Sequence, residues 1–556
     1  MQVDHVKNQT EQKWLYLFIG LAVLVNFSGL FVPLMDPDAG VYASVTKNMV
    51  LRNDYLSLWF QDNDWLDKPH FPFWITALFF KIFGIHDWSY KLPGILFVML
   101  GAYYTYLFAK QHYNKNIALW SVFILLSASH IIVSNNDVRA EPFLTGLIIA
   151  AIYHFSNSFS KNLSWHLVAA CFFTACAIMT KGVFTIIPIA GAVAGELIIK
   201  QNWKQLFHWR WIIALILVAI FISPELYALW YQFDTHPEKT FFGNTHVSGI
   251  KFFLWDSQFG RFFNTGPIKG KGDPSFFLHT LLWAFLPWCL IMYAAFYSKI
   301  KTGLKKIKSE FNEWFTISGS LLALFVFSMS RFQLPYYANI IFPLLAILCA
   351  NFIWQQMQSG KKTFPIVQLV ITIIVLALGT SLFIFYKPEA NLFVIILFVL
   401  LLLFTLFLGK IINARKLYIS LLQSGLAVLT VTLFMNLVFY PDLLKYQSGN
   451  EAAFYLNKNY PGSQIRRFGS YIPSGEFYLN QHMVITNIEA VNKGEFSNPG
   501  ILYITEEELK QLEETNVSFE LIKEFPHFHI TMLKLKFINP KTRESMLQKR
   551  YLVKLL

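Results

Sequence analysis

The stretch from Trp14 to Leu34 reads WLYLFIGLAVLVNFSGLFVPL and carries no charged side chain over 21 residues. A helix of about 20 apolar residues is long enough to cross the hydrocarbon core of a bilayer. The stretch has no small-residue cleavage site and is longer than the apolar region of a signal peptide. We therefore expect a first membrane span that stays in the mature chain.

The composition of the whole chain agrees with a membrane protein. Of 556 residues, 55% are hydrophobic and only 14% are charged, against roughly 25% charged in soluble proteins. The net charge is +13, but the basic residues lie in short caps between apolar runs, as the positive-inside rule predicts. An ordinary cytosolic enzyme is excluded, and nothing indicates a nucleic acid as partner. The cysteines lie in apolar segments without metal-ligand spacing, which is typical of buried small side chains; they are Cys171, Cys176, Cys289 and Cys349.

Apolar runs recur along the chain and predict a mainly α-helical, polytopic membrane protein with about 13 transmembrane helices. They lie near residues 14–34, 92–109, 117–134, 142–158, 165–180, 183–199, 211–231, 276–297, 312–330, 334–351, 363–386, 391–409 and 417–440. With a cytoplasmic N-terminus, the inner loops together with the N-terminal segment hold 18 Lys and Arg residues, and the short outer loops hold four, namely Arg139, Lys181, Arg331 and Lys387. This asymmetry sets the orientation, and an odd number of spans places the C-terminus outside.

Three segments on the outer side are too long to be simple connectors: residues 35–91, 232–275 and 441–556. We expect residues 1–440 to form a membrane domain that includes the first two segments as outer loops. The third segment predicts a separate α/β domain. In it, Gly500 to Thr505 and Phe528 to Phe537 favour strands, and Glu506 to Glu514 favours a helix.

The first outer loop opens with two carboxylates, Asp36 and Asp38, directly after a membrane span. Carboxylates at a membrane surface suit chemistry on a polar group that a lipid presents. An ordinary helix start explains the same residues about equally well, with Asp36 as N-cap, Pro37 at the first helical position and Asp38 in the first turn.

Other charged residues of the same face strengthen the functional interpretation. Lys68 follows Asp67 and is a cation suited to a phosphate oxygen, and the third span ends at Asp137, Arg139 and Glu141. Each group also has a simple structural explanation. Asp67 with Lys68 could be a solvated surface pair, and Arg139 with Glu141 an interfacial anchor.

These residues resemble a known family, the protein mannosyltransferase and aminoarabinose (lipid A) transferase superfamily of GT-C-fold membrane glycosyltransferases. The resemblance rests on motifs that occur in the family order: Asp36 to Tyr42, Asp67-Lys-Pro69, Asp137-Val-Arg-Ala-Glu141, Thr180-Lys-Gly182, Phe285-Leu-Pro-Trp288, and Phe327 to Tyr337. It covers residues 14 to about 350 well and the C-terminal domain only loosely.

The resemblance implies transfer of a sugar from a polyprenyl-phosphate donor to a lipid, glycan or protein acceptor at the outer face of the bacterial inner membrane, usually with inversion. It makes Asp38 the catalytic carboxylate, a general base for the acceptor hydroxyl, with Asp36 as a helper. Cations would stabilise the phosphate leaving group; Lys68 leads, followed by Arg139, Arg331 and Lys181. The remaining residues expected near substrate or metal are Asp67, Asp137, Glu141, Tyr42, Tyr336 and Tyr337.

The sequence departs from the family pattern at several positions. Ala39 follows Asp38 where the family commonly has a second carboxylate, and Gln333 stands where many relatives have a lysine, with the charge at Arg331 instead. The segment Gly270 to Pro274 lacks the histidine of the aminoarabinose enzymes. No cofactor is therefore assigned and metal dependence stays open, with His236, His246 or Asp273 as substitute ligands.

Two other classes of protein fit parts of the pattern. A secondary transporter would place ionisable residues near the midplane and show internal repeats, whereas here the acids lie at one surface and no repeat is visible. A membrane scaffold that only displays the C-terminal domain would not need the charged first loop. Glu225, near the outer end of the seventh predicted span, is either a functional group at membrane depth or a helix-end acid reaching for water. The sequence leaves the sugar and the acceptor open.

Overall fold

The computed structural model describes residues 2–159, 164–266, 268–303, 313–359, 363–494 and 500–556. Six lysines of the predicted inner loops lie outside these residues: Lys161, Lys305, Lys306, Lys308, Lys361 and Lys362. The described chain is mainly helical, as predicted. Its N-terminal half contains α1 (Gln2–Phe27), α2 (Asp38–Arg52), α3 (Phe71–Phe83), α4 (Asp87–His112), α5 (Lys115–Leu126), α6 (Ser129–Asn136), α7 (Glu141–Ser158), α8 (Trp165–Lys181), α9 (Ile186–Ile199), α10 (Trp203–Leu206), α11 (Arg210–Leu229), α12 (Gly249–Lys251) and α13 (Ser257–Phe263).

The helices continue to the end of the membrane part and into the C-terminal part. They are α14 (Phe276–Ala284), α15 (Cys289–Gly303), α16 (Phe315–Met329), α17 (Phe342–Ser359), α18 (Thr363–Tyr386), α19 (Leu392–Ile411), α20 (Lys416–Phe434), α21 (Tyr440–Leu444), α22 (Ser448–Asn459), α23 (Pro473–Tyr478), α24 (Ile488–Asn492), α25 (Glu506–Glu513), α26 (Leu535–Ile538) and α27 (Pro540–Arg543).

Six helical stretches within the described residues are long and apolar enough to cross a membrane: Asp87–His112, Trp203–Asp234, Pro335–Ser359, Phe364–Tyr386, Leu392–Ile411 and Lys416–Leu444. The bent pair α5 and α6 makes a seventh if it is one span, and several shorter apolar helices lie between them. Each of the 13 predicted runs overlaps a helix or a pair of helices, although α1 ends at Phe27, seven residues before the end of the first run. The protein is therefore a multi-pass membrane protein, and the count of 13 spans stays a prediction.

Helices α4 and α7 pack closely against each other. A Cβ at Gly146 on α7 would lie 2.2 Å from the carbonyl oxygen of Phe97 on α4, and one at Gly101 would lie 3.1 Å from the carbonyl oxygen of Thr145. Only glycine lets the two backbones approach so closely, which is the usual role of small residues between membrane helices. The motif that contains Glu141, at the start of α7, is thereby fixed against α4.

The C-terminal part contains a five-stranded mixed sheet with the order β4-β3-β5-β7-β6. Its strands are β3 (Gln464–Arg467), β4 (Met483–Ile485), β5 (Gly500–Thr505), β6 (Phe519–His527) and β7 (Gln548–Leu555), after the short hairpin β1 (Trp59–Phe60) and β2 (Asn63–Asp64) of the first outer loop. β3 runs parallel to β4 and β5, whereas β7 is antiparallel to β5 and β6. Central β5 is almost wholly buried because apolar clusters cover both of its faces.

One strand prediction in this part is wrong. The run Phe528 to Phe537 forms no strand, because β6 ends at His527 and the chain turns away before the short helix α26. Phe528, Ile530 and Phe537 are buried instead in a cluster with residues at the ends of α18 and α20. Residues 531–536 between Ile530 and Phe537 are exposed, so the alternation of apolar and polar residues in this run corresponds neither to a strand nor to alternating burial.

Candidate active site

Asp36 does not cap a helix. α2 begins at Asp38, the N-cap position belongs to Pro37, and no side chain caps the helix. One carboxylate oxygen of Asp36 (Oδ1) instead accepts a hydrogen bond of 2.8 Å from the backbone N–H of Ser474 in the C-terminal part. Burial raises the pKa of Asp36 to about 7. The helix-start explanation of Asp36 is therefore wrong, and the residue joins the first outer loop to α23.

Asp38 has a different environment although it lies two residues away. Its side chain is 40% exposed and forms a salt bridge with the Arg139 guanidinium. Burial raises the pKa of Asp38 above its usual value, with Arg139 lowering it and Asp137 raising it. Asp38 therefore combines access to a ligand with a raised affinity for a proton, which are the two requirements of a general base.

Arg139 is held in place from three sides. Its Nε and Nη2 donate to Oδ2 of Asp137 over 2.9 and 2.6 Å, and its guanidinium lies 4.3 Å from the ring centre of Tyr336. The Tyr336 hydroxyl donates to the same Asp137 oxygen over 2.9 Å. Arg139 is only 15% exposed, so the structure contradicts a simple interfacial anchor. It is the fixed counter-ion of Asp38.

A second charged cluster, which we call the cation cluster, consists of Asp67, Lys68 and Arg261. Asp67 forms salt bridges with both cations, and the three side chains are 14–26% exposed. Although burial opposes it, the two cations lower the pKa of Asp67 to about 2. Asp67 is thus ionised at any physiological pH, and the cluster keeps one net positive charge. The pair is therefore not a solvated surface pair. Lys68 lowers the pKa of Asp38, whereas Asp67 raises it.

A buried pair behind Lys68 fixes the turn that carries it. Glu225 on α11 accepts hydrogen bonds from the backbone N–H of His70 over 2.9 Å and pairs with Nδ1 of its ring over 3.0 Å. Nε2 of the same ring lies 3.1 Å from the carbonyl oxygen of Leu56. Both side chains are completely buried. Glu225 is therefore not an acid that reaches for water; it positions the segment Asp67 to His70.

Glu141 and Lys181 form a third ion pair, and Lys181 lines a cleft. The Lys181 ammonium lies 3.9 Å from the centre of the Tyr337 ring. Lys181, Tyr337 and Arg261 line this cleft together with the apolar side chains of Phe184, Phe262, Phe327 and Phe332. We call it the basic cleft. It has cations at one side and an apolar wall, so its chemistry suits a phosphate joined to a hydrocarbon chain.

Tyr42 and Arg331 have different places around the ion pairs. Tyr42 is buried between Trp65 and Phe73, with ring centroids at 5.9 and 5.6 Å, and therefore packs beneath Asp38. Arg331 is exposed, and its backbone N–H donates to the carbonyl oxygen of Phe262. The cation that joins Lys68 is Arg261 and not Arg331.

The proposed substitute metal ligands do not gather at one point. His236 pairs with Thr235, His246 with Thr245, and Asp273 with Ser275 and His279. Within the ranges that the structure describes, no group of three His, Cys, Asp or Glu side chains could hold a metal ion.

Sequence reasoning missed two residues of this site. Arg261 is the single cation in the aromatic stretch Phe259 to Phe263 of the second predicted outer loop. Its position in that loop was the signal that could have identified it as a site residue. Ser474 meets Asp36 through its backbone N–H and its side chain, but it lies in a distant segment of the chain where no local pattern marked it.

Comparison with known proteins places this geometry in context. The family described as dolichyl-phosphate-mannose-protein mannosyltransferase matches residues 67–228. The crystal structure of ArnT from Cupriavidus metallidurans bound to undecaprenyl phosphate superposes with a TM-score of 0.74 at 17% identity, covering 98% of each chain. The chain has the fold of this transferase. The resemblance inferred from the motifs is confirmed.

Two curated relatives are similar in sequence. An uncharacterised protein of Aquifex aeolicus (strain VF5) is 23% identical over 491 residues, which are 87% of this chain and 89% of that protein. The undecaprenyl phosphate-alpha-4-amino-4-deoxy-L-arabinose arabinosyl transferase of Erwinia tasmaniensis is 22% identical over 326 residues, which are 57% of this chain. This chain therefore spans 55% of the length of that transferase.

Proposed function

We propose that this chain is a membrane glycosyltransferase that moves a sugar from a polyprenyl-phosphate-linked donor to a lipid, glycan or protein acceptor at the outer face of the inner membrane. One observation carries the proposal: an accessible carboxylate, Asp38, interacts electrostatically with Lys68 and Asp67, and Arg261 of the same cluster lines the basic cleft. The ArnT-like fold supports it and favours it over the transporter alternative.

In this proposal Asp38 acts as the general base. It takes the proton of the acceptor hydroxyl while the hydroxyl oxygen forms a bond to C1 of the sugar. The bond between C1 and the phosphate oxygen breaks, and its electron pair leaves with the polyprenyl phosphate. A single displacement of this kind inverts the configuration at C1. Arg139 keeps Asp38 ionised and oriented before the proton arrives.

The cation cluster acts on the leaving group. Negative charge grows on the phosphate as the C1–O bond breaks, and fixed cations that already point at this position lower the barrier. Lys68 and Arg261 supply the charge, and Asp67 holds both side chains in place. Lys181 lines the basic cleft together with Arg261, and its ion pair with Glu141 holds it there.

The experiment is a transfer assay with the full chain in nanodiscs. Short-chain polyprenyl phosphates that carry different radiolabelled sugars are offered together with lipid, glycan and peptide acceptors. Transfer of the labelled sugar from at least one donor to an acceptor supports the proposal. The configuration at C1 of the product tests inversion. Absence of turnover with every donor, together with no binding of unglycosylated polyprenyl phosphate, would overturn it.

A further inference from the structure

A short segment of the C-terminal part exposes apolar side chains. All six residues from Thr531 to Lys536 are exposed, and Met532, Leu533 and Leu535 have 66%, 42% and 85% of their surface open. We call residues 531–536 the apolar tip. Clustered exposed apolar side chains of this size usually mark a contact surface.

The base of the apolar tip is fixed to the end of a membrane helix. Phe537 is fully buried, stacks on Phe528 at 3.9 Å between ring centroids, and lies 6.4 Å from the ring of Tyr386, the last residue of α18. Arg543 donates to the Tyr386 carbonyl oxygen over 2.7 Å. The tip therefore stands at the level where a membrane span ends.

Neighbouring helix ends continue the same apolar surface. Ile384 and Phe385 at the end of α18 are 57% and 64% exposed, and Leu392 and Phe393 at the start of α19 are 71% and 72% exposed. Side chains of this kind at the ends of membrane spans contact lipid. The surface that the spans turn toward lipid thus extends to the apolar tip.

The charges of the tip suit the surface of a bilayer. Lys534 and Lys536 alternate with Leu533 and Leu535, and both lysines are exposed. Lysine can keep its ammonium among lipid headgroups while its stem lies along apolar groups. Each lysine near an anionic leaflet adds attraction, which a contact with an uncharged protein surface would not provide.

We propose that the apolar tip inserts into the boundary between headgroups and acyl chains of the outer leaflet. It would fix the C-terminal part to the membrane as a second attachment beside the chain connection at α20 and α21. The occupant of this surface is the bilayer itself, and the inference does not depend on the proposed enzymatic activity.

Site-directed spin labelling of the full chain in nanodiscs of phosphatidylcholine and phosphatidylglycerol tests this proposal. The four native cysteines are buried, so a label enters at Leu535→Cys or, as a matched control, at Leu521→Cys. Leu521 is 52% exposed on β6 and lies six residues from the end of that strand, which is about 20 Å at roughly 3.3 Å per residue.

We expect the ratio of oxygen to nickel-chelate accessibility to be several-fold higher at position 535 than at position 521, because oxygen partitions into lipid. The double variant Lys534→Glu, Lys536→Glu should lower that ratio in anionic nanodiscs. Equal ratios at the two positions would overturn the proposal. Spin–spin broadening between labels at 535 in nanodiscs that hold two chains would also overturn it, because a second copy would then occupy the surface.

Discussion

Asp36 and Asp38 have the same side chain, but their different surroundings suit them to different roles. Asp36 is bound to the Ser474 backbone, whereas Asp38 keeps an exposed carboxylate next to Arg139. The motif alone predicted a catalytic carboxylate in this stretch. The family resemblance ranked Asp38 above Asp36, but it could not predict what Asp36 contacts, because the partner of Asp36 lies more than 400 residues away in the chain.

The cation cluster leads to a prediction at the scale of single residues. Lys68→Ala and Arg261→Ala should each weaken use of the donor by about 10- to 100-fold in kcat/KM, since a hydrogen bond to a charged group contributes about 1.5–3 kcal/mol. Arg331→Ala is the matched control, because it removes an exposed arginine of a neighbouring loop. Steady-state kinetics with a short-chain donor measure all three. An equal loss for Arg331→Ala would show that the cluster has been assigned to the wrong arginine.

At the scale of elements, α2 packs closely against α23. A Cβ at Gly40 would lie 2.5 Å from the backbone nitrogen of Ser474, and the Lys47 ammonium donates to the backbone oxygens of Glu476, Phe477 and Leu479. The lysine thus satisfies carbonyl groups at the end of α23. The C-terminal part is in this way attached to the helix that carries Asp38.

The close contact at Gly40 predicts that one added methyl group there lowers both stability and activity. Gly40→Ala should destabilise the protein by about 1–3 kcal/mol, the usual cost of overpacking, and should lower transfer because α2 moves. Gly20→Ala in α1 is the control, since nothing lies within 4 Å of its added Cβ. Thermal unfolding in detergent compares the two variants. A Gly40→Ala protein as stable and active as Gly20→Ala would contradict the packing.

The same contact should respond to pH. Burial raises the pKa of both Asp36 and Glu476 to about 7, so the folded protein binds these protons more tightly than the unfolded chain. Their contribution to stability is complete below the ordinary carboxyl pKa and is lost as pH rises through about 7. The unfolding temperature should therefore fall as the pH rises from the ordinary carboxyl pKa to about 7. In the double variant Asp36→Asn, Glu476→Gln, the unfolding temperature should depend less on pH. A wild-type curve that rises there would contradict the assignment.

The elements also show which features the sequence could predict. Apolar runs identified the helices because bilayer thickness fixes their length, and the motifs placed Asp38, Lys68, Arg139 and Lys181 on one face. Arg261 and Ser474 were missed because contacts between distant segments leave no local pattern. The run Phe528 to Phe537 was mistaken for a strand because apolar and polar residues alternate in its sequence, whereas its two ends pack against helices and residues 531–536 are exposed.

At the scale of the whole molecule, the distribution of charge predicts the orientation. A label that cannot cross the membrane should react from outside with Lys510→Cys on α25, and with Lys204→Cys on α10 only after permeabilisation. Both lysines are exposed, and the native cysteines are buried. If Lys204→Cys is labelled in intact cells, the orientation is opposite to the predicted one. If both positions are labelled from one side, the predicted number of spans is wrong.

The central claim is that Asp38 removes the acceptor proton, and sugar transfer by Asp38→Asn tests it most directly. The rate with saturating labelled donor is measured beside the wild type and Asp36→Asn, together with binding of polyprenyl phosphate. We predict that Asp38→Asn loses at least about 100-fold in rate while it still binds the lipid phosphate. Retention of more than about a tenth of the wild-type rate would contradict the general-base role of Asp38.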